Sequence, residues 1–158
     1  GNWDGKGLRP EQVQGFGLGV MNARAAYFAK RNPHLSSFLT EGRSFGPHGT
    51  GLWIANSLEH YDEALSRELT EKTVTANLRM RELGFKPYVA PALSSGALSL
   101  LLALRGEWHC GSVFLDGVYM GVKNRFTDAG IETELLPHIP DELYAHLQEA
   151  ASHLKEVL

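Results

Sequence analysis

Along the chain, apolar residues repeat in two rhythms. Between Val20 and Arg31, the residues Val20, Ala23, Tyr27 and Phe28 can share one helical face. Asn32-Pro33 should stop that helix, because a residue before proline is pushed out of the helical region. A longer run follows, in which Leu58, Tyr61, Leu65, Leu69, Val74, Leu78, Met80 and Leu83 mostly keep a 3.6-residue period among charged neighbours. It predicts a helical stretch over about 57–83, with a kink or break near Thr70 and a stop at Gly84. Residues 91–105 are Ala- and Leu-rich and predict another helix, led in by Ser94-Ser95-Gly96. The last segment, from Pro140 onward, places Leu143, Leu147, Ala151, Leu154 and Leu158 on one face. Asp141 and Glu142 suit its positive end.

Between these lie shorter, extended pieces. Residues 111–115 and 118–122 read as paired strands joined by a tight Asp116-Gly117 turn. Residues 131–136 form a further strand or extended segment, and 14–19 a short strand or loop. Pro10 begins a short turn, and 35–39 is an apolar piece of unassigned type. Gly42, Gly46, Gly49 and Gly51 with Pro47 mark 42–51 as a loop. Residues 1–9 read as a lead-in or the remnant of an interdomain linker, which leaves one domain over residues 10–158.

Composition narrows the function classes. A net charge of −3 gives no electrostatic reason to expect nucleic acid or anionic lipid as a partner. The longest apolar run, Leu98 to Leu104, is broken by Ser99 and far too short to cross a membrane. No basic-then-apolar leader precedes Gly1, so a cytoplasmic setting is expected. Cys110 is the single cysteine, which excludes an intrachain disulfide and a thiolate cluster. His109 beside it would point to the opposite face of a strand, so the two do not make a nucleophile–base pair. His146 and His153 lie two helical turns apart, and neither they nor His138 gain an acid or cysteine that would complete a metal shell. No metal is expected.

The stretch Gly15-Phe-Gly-Leu-Gly19 invites comparison with a nucleotide-binding loop. Its glycines alternate, whereas such a loop needs Gly-x-Gly-x-x-Gly after a buried strand, and Arg9-Pro-Glu-Gln-Val-Gln14 is no such strand. A tight lead into the following helix explains it better.

The same stretch, together with Leu8-Arg-Pro-Glu-Gln-Val-Gln14 and Val20-Met-Asn-Ala-Arg24, resembles the junction at which lactate and malate dehydrogenases pass from the NAD-binding to the catalytic domain. Gly46-Pro-His-Gly49 is similar to that family's Gly-Glu-His-Gly motif, at the same interval after the arginine. Asn77-Leu-Arg-Met-Arg-Glu-Leu-Gly84, then Leu98 to Arg105 and Cys110-Gly-Ser-Val-Phe-Leu-Asp-Gly-Val-Tyr119, resemble the family's later helices and hairpin in order and spacing. The resemblance runs from about Leu8 to the C-terminus.

It implies a mixed α/β fold, with a twisted antiparallel sheet packed against long helices as in the family's C-terminal domain. It also implies the chemistry of an NAD-dependent 2-hydroxy-acid dehydrogenase. Arg24 would grip the carboxylate of a small 2-hydroxy or 2-keto acid, as a planar guanidinium can with two parallel hydrogen bonds. His48 would exchange the hydroxyl proton, and Ser94 and Ser95 would line the substrate pocket. NAD would belong to the full-length protein, since nothing in residues 1–9 replaces a cofactor domain, and a homodimer through the long helix is implied.

Each of these residues also has a plainer reading. Arg24 suits a surface cation, His48 loop packing, and Ser94-Ser95 an ordinary lead into a helix. The family's aspartate that orients the histidine falls at Met21, its glutamate before the histidine at Pro47, and its Tyr-Gly at Tyr119-Met-Gly121. The segment between Gly121 and Gly130 is also short. These departures leave open a non-catalytic binding or assembly domain.

Overall fold

The computed structural model describes residues 7–84 and 90–157. The lead-in is therefore seen only from Gly7 onward; the part of that expectation over residues 1–6 lies outside the described residues. A short 3-10 turn over Pro10–Gln12 precedes α1, Gly17–Arg31, and the Asn32–Pro33 stop falls where the sequence puts it. A second 3-10 turn, Pro33–Leu35, leads into the single-turn α2, Phe38–Glu41, which settles the unassigned 35–39 piece as helical. Two three-residue strands follow, β1 (Arg43–Phe45) and β2 (Trp53–Ala55), then α3 (Glu63–Glu82) and α4 (Ala90–Leu104). The chain ends with β3 (His109–Leu115), β4 (Val118–Thr127), β5 (Gly130–Thr133) and α5 (Asp141–Val157).

The expected mixed α/β architecture is present, and both sheets are antiparallel. β3, β4 and β5 form a meander, with Leu115 opposite Val118 across the first turn and Thr127 opposite Gly130 at the second. Asp116 and Gly117 both have positive φ, +47° and +87°, as a two-residue hairpin turn requires. β1 and β2 make a separate ribbon in which Phe45 faces Trp53. Gly46 N–H donates to the Gly121 carbonyl at 3.0 Å and ties that ribbon to β4. A side chain at Gly121 would collide with the Gly46 carbonyl oxygen, so the tie needs glycine there.

Five expectations need correction. Residues 17–19 are the first turn of α1, not a strand or loop. Tyr27 does not share the buried face of α1; it is exposed, while Leu18, Met21, Ala25 and Ala29 are buried together. The 42–51 segment is not all loop, because β1 occupies its first part. The long helix does not begin near Ser57. Residues 57–62 instead build its cap: Asp62 is the N-cap, its Oδ1 accepting from Leu65 N–H at 2.8 Å. Nor does α3 break at Thr70, whose hydroxyl donates to the Ser66 carbonyl at 2.8 Å and accepts Ile54 N–H at 2.9 Å. A residue that looks like a helix breaker is thus a cross-link between α3 and β2.

The main core lies between α1, α3 and the ribbon, with Leu18, Met21, Ala25, Leu35, Phe38, Ile54 and Leu69 buried together. A second cluster, Phe45, Trp53, Ala55 and Leu143, seats α5 on the ribbon, and Val118, Met120 and Ala150 seat it on β4. No described helix is long and apolar enough to cross a membrane.

Candidate functional site

The alternating glycines at the start of α1 are packing points. Gly15 pairs with Ser112 of β3 through two backbone hydrogen bonds of 2.9 and 2.7 Å. A Cβ on Gly17 would lie 3.2 Å from the Cβ of His48. A Cβ on Gly19 would lie 2.8 Å from the Cβ of Ser99 and closer still to its hydroxyl. Each missing side chain admits a different neighbour: a strand, a loop and a helix. None of these three positions is available to cradle a pyrophosphate, so the plain reading of the stretch holds.

The loop Gly46–Leu52 carries His48 over the first turn of α1. Gly46 and Gly51 take positive φ, +88° and +91°. Gly51 lies against α5, where a Cβ would sit 3.1 Å from the Ala150 side chain. The His48 ring is exposed.

Gly17, Met21 and Arg24 are at i, i+4 and i+7 of α1, which puts them on one helical face. Arg24 is therefore two turns, about 10 Å of helical rise, beyond the turn on which His48 rests. Arg24 is partly buried, and burial pulls its pKa down from the usual arginine range. Its Nη1 donates only to the Met21 sulfur, at 3.8 Å; among the described residues it meets no carboxylate. Met21, which stands where the resembling family has its aspartate, is 5 % exposed and belongs to the core.

Ser95 lies elsewhere. It lines a cleft of about 400 Å³ between α1, α2, α4 and the start of β3. Neither Arg24 nor His48 lines that cleft, which takes the side of α1 bearing Gly19, Asn22, Ala23 and Ala26. The side chain of Ser94 lies outside the described residues. The candidates named from sequence thus divide, with Arg24 and His48 on one face of α1 and Ser95 on another.

Sequence reasoning missed the ion-pair cluster beside the cleft. Arg43 grips Glu134 with two hydrogen bonds, Nε to Oε2 at 2.6 Å and Nη2 to Oε1 at 2.8 Å. Lys123 Nζ donates to the same Oε1 at 3.1 Å. Burial raises the Glu134 pKa, but the hydrogen bonds from Arg43 and Lys123 outweigh it and hold the carboxyl below its usual range. The Glu134 hydrogen bonds raise the Arg43 pKa in turn. His109 is 4 % exposed and stacked on Phe16 at 5.6 Å. Burial lowers its pKa, so it stays neutral, and its Nδ1 is buried without a hydrogen-bond partner among the described residues. Its Nε2 lies 3.3 Å from Gln14 Nε2, which also donates to Asn124. Burial pushes the neighbouring Cys110 thiol up to about 11, which removes it as a nucleophile at neutral pH, as its strand position implies. No local pattern marks Arg43, His109, Lys123 and Glu134 as a group, because four segments far apart in sequence deliver them. Among the described residues no group of His, Cys, Asp and Glu could hold a metal ion.

Comparison with solved structures identifies the architecture. A malate dehydrogenase from Aeropyrum pernix superposes with a TM-score of 0.71 at 18 % identity, over 94 % of this chain and 56 % of its own. The fold is the C-terminal-domain fold of lactate and malate dehydrogenases. A malate dehydrogenase from Archaeoglobus fulgidus, solved in complex with NADH, gives a TM-score of 0.65 at 21 % identity, over 98 % of this chain and 54 % of its own. A lactate dehydrogenase from a Medee basin deep-sea metagenome library gives 0.74 at 15 % identity, over 98 % and 56 %. The chain therefore spans a little over half the length of the dehydrogenases whose fold it shares. No protein-family model matches the sequence, and no curated protein matches it either.

Proposed function

We propose that this chain is the substrate-side domain of a divergent NAD-dependent 2-hydroxy-acid dehydrogenase of the lactate/malate type, working in the cytoplasm. Arg24 carries the reading. A guanidinium that has lost part of its hydration, and meets no acid among the described residues, is suited to an anion brought from outside. A 2-keto or 2-hydroxy carboxylate would take the two parallel hydrogen bonds its fork offers. His48, held over the same face of α1 by Gly17, would give a proton to the keto oxygen or take one from the hydroxyl. Ser94 would contribute to the pocket wall from α4, whereas Ser95 lines the separate cleft on the other side of α1 and has no part in it. NAD, carried by a domain outside these residues, would supply or accept the hydride. Met21 cannot orient an imidazole or stabilise imidazolium as a carboxylate would, so proton transfer by His48 should be slow relative to an enzyme with an acid there.

The test is calorimetric titration of the chain with pyruvate, lactate, oxaloacetate and malate, beside its Arg24→Ala variant. The reading expects weak binding that Arg24→Ala abolishes, a loss of about tenfold or more for one charge-assisted bidentate contact. Binding that Arg24→Ala leaves unchanged would overturn the role of that arginine.

A second reading has its own observation. Val74, Leu78 and Met80 on α3, Leu83 at its C-cap, and Leu98, Leu101 and Leu104 on α4 are exposed apolar residues. Such surfaces are covered in an assembly, and a homodimer through them fits either a working dehydrogenase or a domain that keeps only an assembly role.

A further inference from the structure

The cleft on the opposite side of α1 has a charge balance of its own. Among the described residues its charged lining side chains are the two cations Arg43 and Lys123, with no carboxylate. Glu134, which pairs with both, lines a separate apolar groove beside α5 rather than this cleft. Two cations against one acid leave one positive charge over. Cys110 does not offset it, since burial keeps the thiol neutral. Lys123 spends one donor on Glu134 and lies 5.7 Å from the centre of the Trp108 ring. The polar side chains of Asn22, Thr40 and Ser99 complete the wall. A partly buried excess cation beside hydroxyl and amide groups is a setting that favours a small oxyanion.

We infer that this cleft is a binding site for a small oxyanion, a phosphate or a carboxylate, centred on Lys123 and Arg43 and separate from the proposed Arg24–His48 face. The anion takes the free donors of Lys123, and Glu134 holds Arg43 in place behind it. The inference rests on the lining residues and their charges and does not depend on the dehydrogenase reading.

The test is a nitrogen-15 NMR titration of the 158-residue chain with inorganic phosphate and, separately, with malonate. The indole N–H of Trp108 and the amides of Thr40 and Ser99 report on the cleft. At least one of the two anions should shift them in a saturable way, and which of them does so identifies the natural ligand as phosphate-bearing or carboxylate-bearing. Lys123→Met, which leaves Arg43 and Glu134 as a neutral pair, should weaken binding about tenfold or more. Lys123→Arg should retain it, which separates loss of charge from loss of fold, and Arg24→Ala should leave it unchanged. Absence of saturable shifts with either anion would overturn the site, as would equal affinity in Lys123→Met. Loss of binding in Arg24→Ala would assign the anion to the other face and overturn it too.

Discussion

Gly19→Ala is the sharpest perturbation the packing offers. Alanine is the better helix former, and in the first turn of α1 the exchange alone should stabilise the protein by at most about 0.5–1 kcal/mol. The new methyl, however, would sit 2.8 Å from the Ser99 Cβ, with the Cys110 carbonyl oxygen at 3.5 Å behind it. Carbon atoms rest at about 3.5–4.0 Å. Rotating the Ser99 hydroxyl away cannot cure a Cβ–Cβ clash, so α1 and α4 must part by up to roughly 1 Å. Overpacking of this kind costs about 1–3 kcal/mol. The net expectation is destabilisation of about 1–2 kcal/mol, read as a lower urea midpoint at unchanged slope by circular dichroism. Gly96→Ala is the control, since its methyl would meet Val20 Cγ2 at 3.4 Å and the Phe16 carbonyl oxygen at 3.9 Å, both ordinary contacts. It should be neutral or stabilising. In a Ser99→Gly background the Gly19→Ala penalty should vanish, leaving the gain in helix propensity. A Gly19→Ala protein as stable as Gly96→Ala would refute the close approach of the two helices.

Two other outcomes follow from the ion-pair cluster and its neighbour. Glu134→Gln leaves Arg43 and Lys123 without their shared acid and should cost about 1–2 kcal/mol at neutral pH. The folded Glu134 pKa is depressed, so its contribution is present above the ordinary carboxylate range and is lost as pH falls through the folded value. The difference in urea midpoint between the two proteins should therefore shrink at acidic pH; a constant difference would mean that the ion pairs are not its source. Cys110, its thiol pushed up to about 11, should react with a disulfide reagent at neutral pH about 100-fold more slowly than a free thiol, and at the free-thiol rate in denaturant. Prompt labelling of the native protein would contradict the raised thiol pKa.

What the sequence determined by itself was local and periodic. The helices α1, α3 and α4 and the apolar face of α5 were legible because runs and 3.6-residue repeats of apolar side chains need no knowledge of partners; the face of α1 was not, since Tyr27 is exposed and Leu18, Met21, Ala25 and Ala29 are buried in its place. The Asp116-Gly117 turn was legible because two positive φ values demand those residue types. The glycine stretch could be denied a nucleotide role from spacing alone. Which neighbour each glycine admits — Ser112, His48 or Ser99 — could not be read there, since those contacts join residues far apart in sequence.

Only the tertiary structure decided the rest. β1 and β2 are three residues each, too short for an alternating pattern, and they exist because each pairs with the other under α3 and α5. Thr70 looked like a break in a helix because its hydroxyl partner, the Ile54 amide, lies in another element. Arg43, His109, Lys123 and Glu134 carry no motif, because a charge becomes a site only when folding removes water and fixes its neighbours. Ser95 and Arg24 looked alike as candidates on paper. The turn of α1 separates them: Arg24 shares the face of Gly17 and Met21, whereas Ser95, on α4, lines the cleft that meets α1 at Gly19, Asn22 and Ala26.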